Sequence, residues 1–168
     1  MNILISRSED AEALSAVARA TFLQSFSHEI GWPDIAMRAR DEDSPEGFRK
    51  RFAEDSPCWL ARVEGTDAPV GFAMLCAPEL PVETGVGDVE LKRIYVLHRF
   101  HGTGTGARLL SAAEAHAREE GRERLLLGVK NDSPAVDWYE RRGFEVVGTR
   151  QFRVGESLFD DLVMAKSL

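Results

Sequence analysis

The stretch HGTGTG, His101–Gly106, lies between an apolar run and a helical pattern. Its chemistry would come from bare backbone. Glycines at a helix start let unhindered N–H groups point into one concavity at the positive end of the helix, which is a site for an anion and above all for phosphate. A tight turn between strand and helix accounts for one or two glycines. Three in alternation favour a ligand, and a pyrophosphate fits. Two familiar phosphate loops do not match. A Walker A loop needs Lys-Ser/Thr after its last glycine, and here Ala107 and Arg108 follow Gly106. A dinucleotide fingerprint needs an acid about 20 residues on, where this chain has the apolar RLLLGV.

A second segment, NDSPAVDWYERRGF (Asn131–Phe144), follows the next apolar run. Tyr139 stands four residues after Ala135, on the same helical face, with a phenol that can give a proton or pack as an aromatic beside Trp138. Ser133-Pro134 opens a short helix and Gly143 closes it.

The elements that must position these residues follow from periodicity. Asn2–Ser6 reads as a strand. A helix capped by Ser8 carries an apolar stripe at Leu14, Val17, Ala18, Thr21, Phe22 and Phe26. SHEIGWPDIAMRAR reads as irregular, with at most one helical turn after Pro33. A second helix starts at Ser44-Pro45. Strands are predicted over Cys58–Val63, Val70–Leu75, Val89–Val96, Arg124–Val129, Phe144–Gly148 and Phe159–Ala165. Helices are predicted from the glycine loop to about Glu120 and from about Pro134 to Arg142. The order β-α-α-β-β-β-α-β-α-β-β implies an α/β (α+β) fold with a mixed sheet and helices on its faces.

The chain has 168 residues, 43% hydrophobic and 29% charged, which suits one domain spanning 1–168. Its net charge of −7 argues against general nucleic-acid binding and is compatible with a cationic substrate. No apolar run is long enough to span a bilayer, and the first residues carry no signal-peptide pattern. Cys58 and Cys76 sit apart in apolar segments and read as buried thiols, which fits a reducing cytoplasm. No metal-ligand spacing is present.

Taken together, the two segments resemble the GNAT superfamily of acetyl-CoA-dependent N-acetyltransferases. The loop matches that family's Q/R-x-x-G-x-G/A as His101-x-x-Gly104-x-Gly106. The later motif matches as Asn131, Ala135, Tyr139, Gly143 and Phe144. His101 replaces the usual Gln or Arg, and Asn131 stands four residues before Ala135, where three is usual. A narrower resemblance, carried by TFLQSF, VELKRIYV and FRVGESLFDDLVMAKSL, is to bacterial polyamine acetyltransferases of the PaiA type, which act on spermidine and spermine.

The resemblance implies a mostly antiparallel sheet and direct attack of a primary amine on acetyl-CoA, without a metal. A small amine, polyamines first, would be the acceptor; another small amine, a protein N-terminus, or a non-catalytic CoA-binding module are the alternatives, as is an unrelated ATP or NAD binder. Cofactor contacts fall on Ile94, Tyr95, Val96, His101, Gly102, Thr103, Gly104, Thr105, Gly106, Asn131, Ala135 and Tyr139. An amine with a pKa of ~10.4 must lose a proton, and a thiolate of pKa ~8.5 must gain one. Tyr139 is the implied acid, and the backbone N–H of Tyr95 or Val96 the implied oxyanion donor, with Val96 preferred. Glu90 is either the base or a strand carboxylate paired with Lys92 or Arg93. His28 and a water chain are the other candidates for base. In the sequence, Glu90, Lys92, Ile94 and Val96 alternate and so share one strand face, which turns apolar towards the pantetheine channel. His28, Glu29 and Trp32 would flank the acceptor. Asp41, Glu42, Asp43 and Glu46 either attract a polycation or form a solvated helix start. Arg141 and Arg142 either reach the 3′-phosphate or face water. Proteins of this kind often form homodimers, though no stretch here specifies an interface.

Overall fold

Seven strands form a single sheet in the order β1-β2-β3-β4-β5-β7-β6. They are β1 (Ile3–Arg7), β2 (Cys58–Val63), β3 (Pro69–Cys76), β4 (Asp88–Val96), β5 (Arg124–Lys130), β6 (Glu145–Val154) and β7 (Ser157–Ser167). The computed structural model describes residues 1–168. Every neighbouring pair is antiparallel except β4 and β5, so the expected mixed, mostly antiparallel sheet is present. Helices α4 (Thr105–Glu119) and α5 (Ala135–Glu140) cover one face, where Leu109, Ala113 and Tyr139 join Leu91, Leu125 and Met164 in the main core. Helices α1 (Ala11–Phe26) and α3 (Pro45–Ala53) cover the other, packing Leu14, Val17 and Phe48 on Leu60, Phe72 and Met74.

The element order needs one correction. A third helix, α2 (Trp32–Asp41), stands between β1 and β2, where a single turn is expected from the sequence. Its signals are at its ends. Pro33 stands in its first turn, where a proline fits, with Asp34 beside it, and Arg38 and Arg40 sit in the last turn; these charges favour the helix dipole. Its buried face is only Ile35 and Arg38, so apolar periodicity barely registers. The cap of α1 is also shifted: Asp10, not Ser8, accepts the Ala13 N–H at 3.0 Å. Ser44 caps α3 as expected, accepting from the Gly47 N–H at 3.0 Å.

The register of β4 positions the site. Arg93 pairs with Met74, but Leu91 pairs with Leu75, so Lys92 is one residue extra. Such a bulge reverses the alternation beyond it. Val89 and Leu91 therefore join Ile94 and Val96 in the core beneath α4. The shared face of Glu90, Lys92, Ile94 and Val96 expected from the sequence does not exist, because it assumes an unbroken strand.

Candidate functional site

Strands β4 and β5 pair only from Asp88↔Arg124 to Glu90↔Leu126. Beyond that point they diverge, and a cleft of about 1190 Å³ opens between Leu91–Val96 on one side and Leu127–Lys130 on the other. Diverging strands leave backbone groups without partners, ready for an extended ligand. The Leu97 N–H donates to Val70 O at 2.8 Å, so in this antiparallel pair the N–H and C=O of Val96, one residue back, point away from β3 and into the cleft. The Val96 carbonyl accepts from His101 Nε2 at 2.8 Å, which leaves its N–H free.

At the wide end of the cleft is the glycine loop. Gly102 and Gly104 have φ of +76° and +81°, the left-handed region that residues with a side chain enter rarely. These two turns lead into α4 so that six successive N–H groups, Gly102 through Ala107, donate to no acceptor in the protein. Unpaired donors at a helix N-terminus are what a pyrophosphate requires. The threonines turn inward: Thr103 Oγ1 donates to Phe100 O at 2.7 Å and lies 2.8 Å from Thr105 Oγ1. Thr105 still borders the cleft and Thr103 does not. Arg142 reaches the same end, its guanidinium 3.8 Å from the Trp138 ring centroid, whereas Arg141 lies outside the lining.

Tyr139 stands on the cleft wall facing the diverging strands. It is 7% exposed and packs edge-on against Trp138 and Phe144, with ring centroids 5.0 and 5.4 Å away. Its hydroxyl is not sealed inside without a partner, and it borders the open cleft. Burial pushes its phenol well above the usual tyrosine value, and nearby Tyr95 adds in the same direction.

The structure brings Ile94, Tyr95, Val96, His101, Gly102, Gly104, Thr105, Gly106, Ala135 and Tyr139 to this one cleft, with His28 and Glu29 at its other end. It leaves out four residues for which the sequence implies a cofactor, catalytic or acceptor contact. Thr103 spends its hydroxyl inside the loop. Asn131 is exposed outside the lining, its N–H bonded to Asp160 O at 3.0 Å, as its displaced spacing from Ala135 would suggest. Trp32, the first residue of α2, is 69% exposed and away from the cleft. Glu90, 1% exposed, accepts the Glu79 N–H at 2.7 Å and lies 3.6 Å from Lys92 Nζ; the bulge sets it behind the wall. Glu79 does line the cleft but is a weak base. Burial raises its carboxyl, but hydrogen bonds from Arg51 and Lys92 outweigh that and hold it at about 2.

Several wall residues carry no sequence motif. Arg93, 5% exposed, reaches Asp43 at 2.5 Å and Glu42 at 3.1 Å, and Arg38 reaches Asp43 at 3.2 Å. The acidic run Asp41–Glu46 is thus divided: Asp43 is buried under two arginines, Glu42 borders the cleft, and Asp41 and Glu46 pair with Arg40 and Arg49 at the surface. Arg150 pairs with Asp161 at 3.0 Å across β6 and β7; burial raises the Asp161 carboxyl although Arg150 opposes it. An arginine within a strand is the one signal that could have found Arg93 and Arg150; Arg38, on α2, carries none. No group of three or more His, Cys, Asp or Glu is placed to hold a metal ion. No helix is long and apolar enough to cross a membrane.

Comparison with known proteins places this geometry. The sequence pattern of the acetyltransferase (GNAT) family matches residues 18–144. An uncharacterised N-acetyltransferase of Mycobacterium tuberculosis is 34% identical over 161 residues, covering 95% of this chain and 98% of its own. The spermine/spermidine N(1)-acetyltransferase of Bacillus subtilis is 34% identical over 102 residues, 59% of this chain and 63% of its own. Among solved structures, the PaiA N-acetyltransferase of Thermoplasma acidophilum in complex with coenzyme A superimposes over 100% of both chains with a TM-score of 0.80 at 23% identity.

Proposed function

This chain belongs to the acetyltransferase (GNAT) family and is an N-acetyltransferase that uses acetyl-CoA; from that premise we propose that it acetylates a small primary amine by direct attack, with the Val96 N–H and the Tyr139 hydroxyl as its chemical groups. The observation that carries this reading is the cleft itself. It joins six free loop N–H groups, the unpaired edges of β4 and β5, and the Tyr139 phenol along a single path.

The loop N–H groups of Gly102–Ala107 would hold the pyrophosphate, with Arg142 beside them for a further phosphate. The open edges of β4 and β5 would take the amide groups of the pantetheine arm. Bound acetyl-CoA supplies an activated acetyl group and a thiolate leaving group. The Val96 N–H, free and preoriented, serves the negative charge that develops on the acetyl oxygen. Tyr139, with its phenol held protonated by burial, serves the thiolate.

In this reading no side chain removes the acceptor's proton. Glu90 is behind the wall, Glu79 is held at about 2, Glu29 and Glu42 are ion-paired, and Asp161, though raised by burial, has its Oδ2 held by both Nε and Nη2 of Arg150. The proton leaves to water through the mouth of the cleft, beside His28, whose side chain is 71% exposed. Cys58 and Cys76 are free, buried thiols pushed up to about 12 by burial, which supports a reducing compartment such as the cytoplasm.

For the acceptor, resemblance supports spermidine or spermine: the segments TFLQSF and VELKRIYV, and the activity named for the Bacillus relative, point that way. Polyamines therefore belong in any first panel. Incubation with acetyl-CoA and a panel of primary amines, followed by release of the CoA thiol, tests the proposal. Amine-dependent release is expected. CoA binding without amine-dependent release from any member of the panel would contradict direct transfer and favour a binding module.

A further inference from the structure

The acceptor half of the cleft, beyond Tyr139 and the diverging strands, is walled by Phe22 and Phe26 from α1, Ile30 after it, Phe152 from β6 and Phe159 from β7. An aromatic wall can receive two kinds of guest. Ring faces attract an ammonium, and ring surfaces bury an apolar body. The charges around the rings decide between them.

Three of these rings already carry a cation of the protein's own. Arg38 lies 4.4 Å from the Phe22 centroid, Arg150 lies 4.8 Å from Phe152, and Lys130 lies 5.6 Å from Phe159. The carboxylates are also taken. Each of the five on the cleft wall pairs with an internal cation: Glu29 with Lys130, Glu42 with Arg93 at 3.1 Å, Glu79 with Lys92 at 2.6 Å, Asp132 with Lys130 at 3.2 Å, and Asp161 with Arg150 at 3.0 Å. An arriving ammonium thus finds no carboxylate without a cation already beside it, and the one phenylalanine ring that carries none, Phe26, lies 4.7 Å from the Phe22 ring on which Arg38 sits. It must expel a resident cation or sit desolvated beside like charge. The reacting amine has the opposite need. It must be neutral to attack, and surrounding cations favour its neutral form.

We propose that the acceptor is a primary amine on an apolar body, aryl or branched alkyl, that carries no second positive charge. This rests on the acetyltransferase reading above and narrows its substrate class away from the polyamines that resemblance suggests. The amine lies towards the thioester, and the apolar body lies on the phenylalanines.

The test compares 2-phenylethylamine and 3-methylbutylamine with spermidine and spermine, by kcat/KM at saturating acetyl-CoA. The apolar amines are expected to exceed the polyamines by about tenfold or more. A polyamine that matches or exceeds them overturns the inference and leaves acetyl transfer standing. Calorimetric titration of the CoA-loaded protein with the same amines gives a readout free of turnover. Binding of 2-phenylethylamine in preference to spermidine supports the apolar guest even if no transfer occurs, which would then be a failure of the proposed function alone. The reverse preference overturns it.

A second arm uses Lys130→Met, which keeps an unbranched stem over Phe159 while freeing Glu29 and Asp132. The ratio of spermidine to 2-phenylethylamine activity should rise by about tenfold if resident cations exclude polyamines. An unchanged ratio contradicts that exclusion.

Discussion

Tyr139 has two physical properties that an acid for a thiolate needs: it reaches the cleft, and burial keeps its proton on. Removing only the hydroxyl in Tyr139→Phe should lower kcat by about 10²-fold, the low end for a positioned acid, and leave CoA affinity within about 2-fold. Because the phenol is raised above its usual value of ~10, the wild-type rate should climb with pH as the amine deprotonates and show no loss on the alkaline side up to about pH 10. A pH–rate profile of both proteins checks this; equal kcat in the variant would remove Tyr139 from the chemistry. Much of the lining of this candidate site is legible in the sequence. The glycines, Val96 and Tyr139 lie on the cleft because loop and helix-spacing signals are local. The sequence pattern puts Glu90 on the face of Ile94 and Val96 only if β4 is unbroken; one extra residue, Lys92, turns the strand, and hydrophobic alternation does not register a single insertion.

The wall of the acceptor half depends on how elements are fastened. The β6–β7 hairpin turns at Gly155, with φ of +56°, and its tip is held by α2. Asp34 Oδ2 accepts from Ser157 Oγ at 3.0 Å and from the Glu156 N–H at 3.3 Å. A side chain on Gly155 would strike the Asp34 carboxylate, so the two elements touch with no space between. Asp34→Ala removes two hydrogen bonds, worth about 1–2 kcal/mol together at this partly exposed site. It should raise the acceptor KM by about 5–10-fold, within that same energy, and leave the KM for acetyl-CoA unchanged. Steady-state kinetics varying each substrate in turn checks it; a matching rise in both would mean a general loosening of the fold. This clasp was not legible in the sequence. It joins residues more than 120 positions apart, and α2 itself hides because its buried face holds an arginine in place of a leucine. Strands and capped helices, whose signals are local, were legible to within a few residues, apart from β6, which runs to Val154.

Over the whole molecule, a chain of net charge −7 has to bind an anionic cosubstrate. Long-range electrostatics therefore oppose the encounter, and affinity must come from short-range donors that the fold concentrates in one place. The sheet does this by pairing β4 with β5 for three residues and then letting them part, with α4 starting at the wide end of the gap. In the proposed function this gap and its loop hold CoA. Gly104, with φ of +81° and no protein atom within 4 Å of where a Cβ would stand, is the point at which the loop can be changed without disturbing the core. Valine there is forced out of the left-handed region and should misdirect the N–H groups that follow it. The measurement is isothermal titration of CoA into the wild type and Gly104→Val, with thermal melts of both to show that the variant is folded. One CoA per chain is expected, with binding weakened by about tenfold or more in a folded Gly104→Val protein. Absent binding by the wild type, or equal affinity in the variant, would contradict the assignment of the cleft.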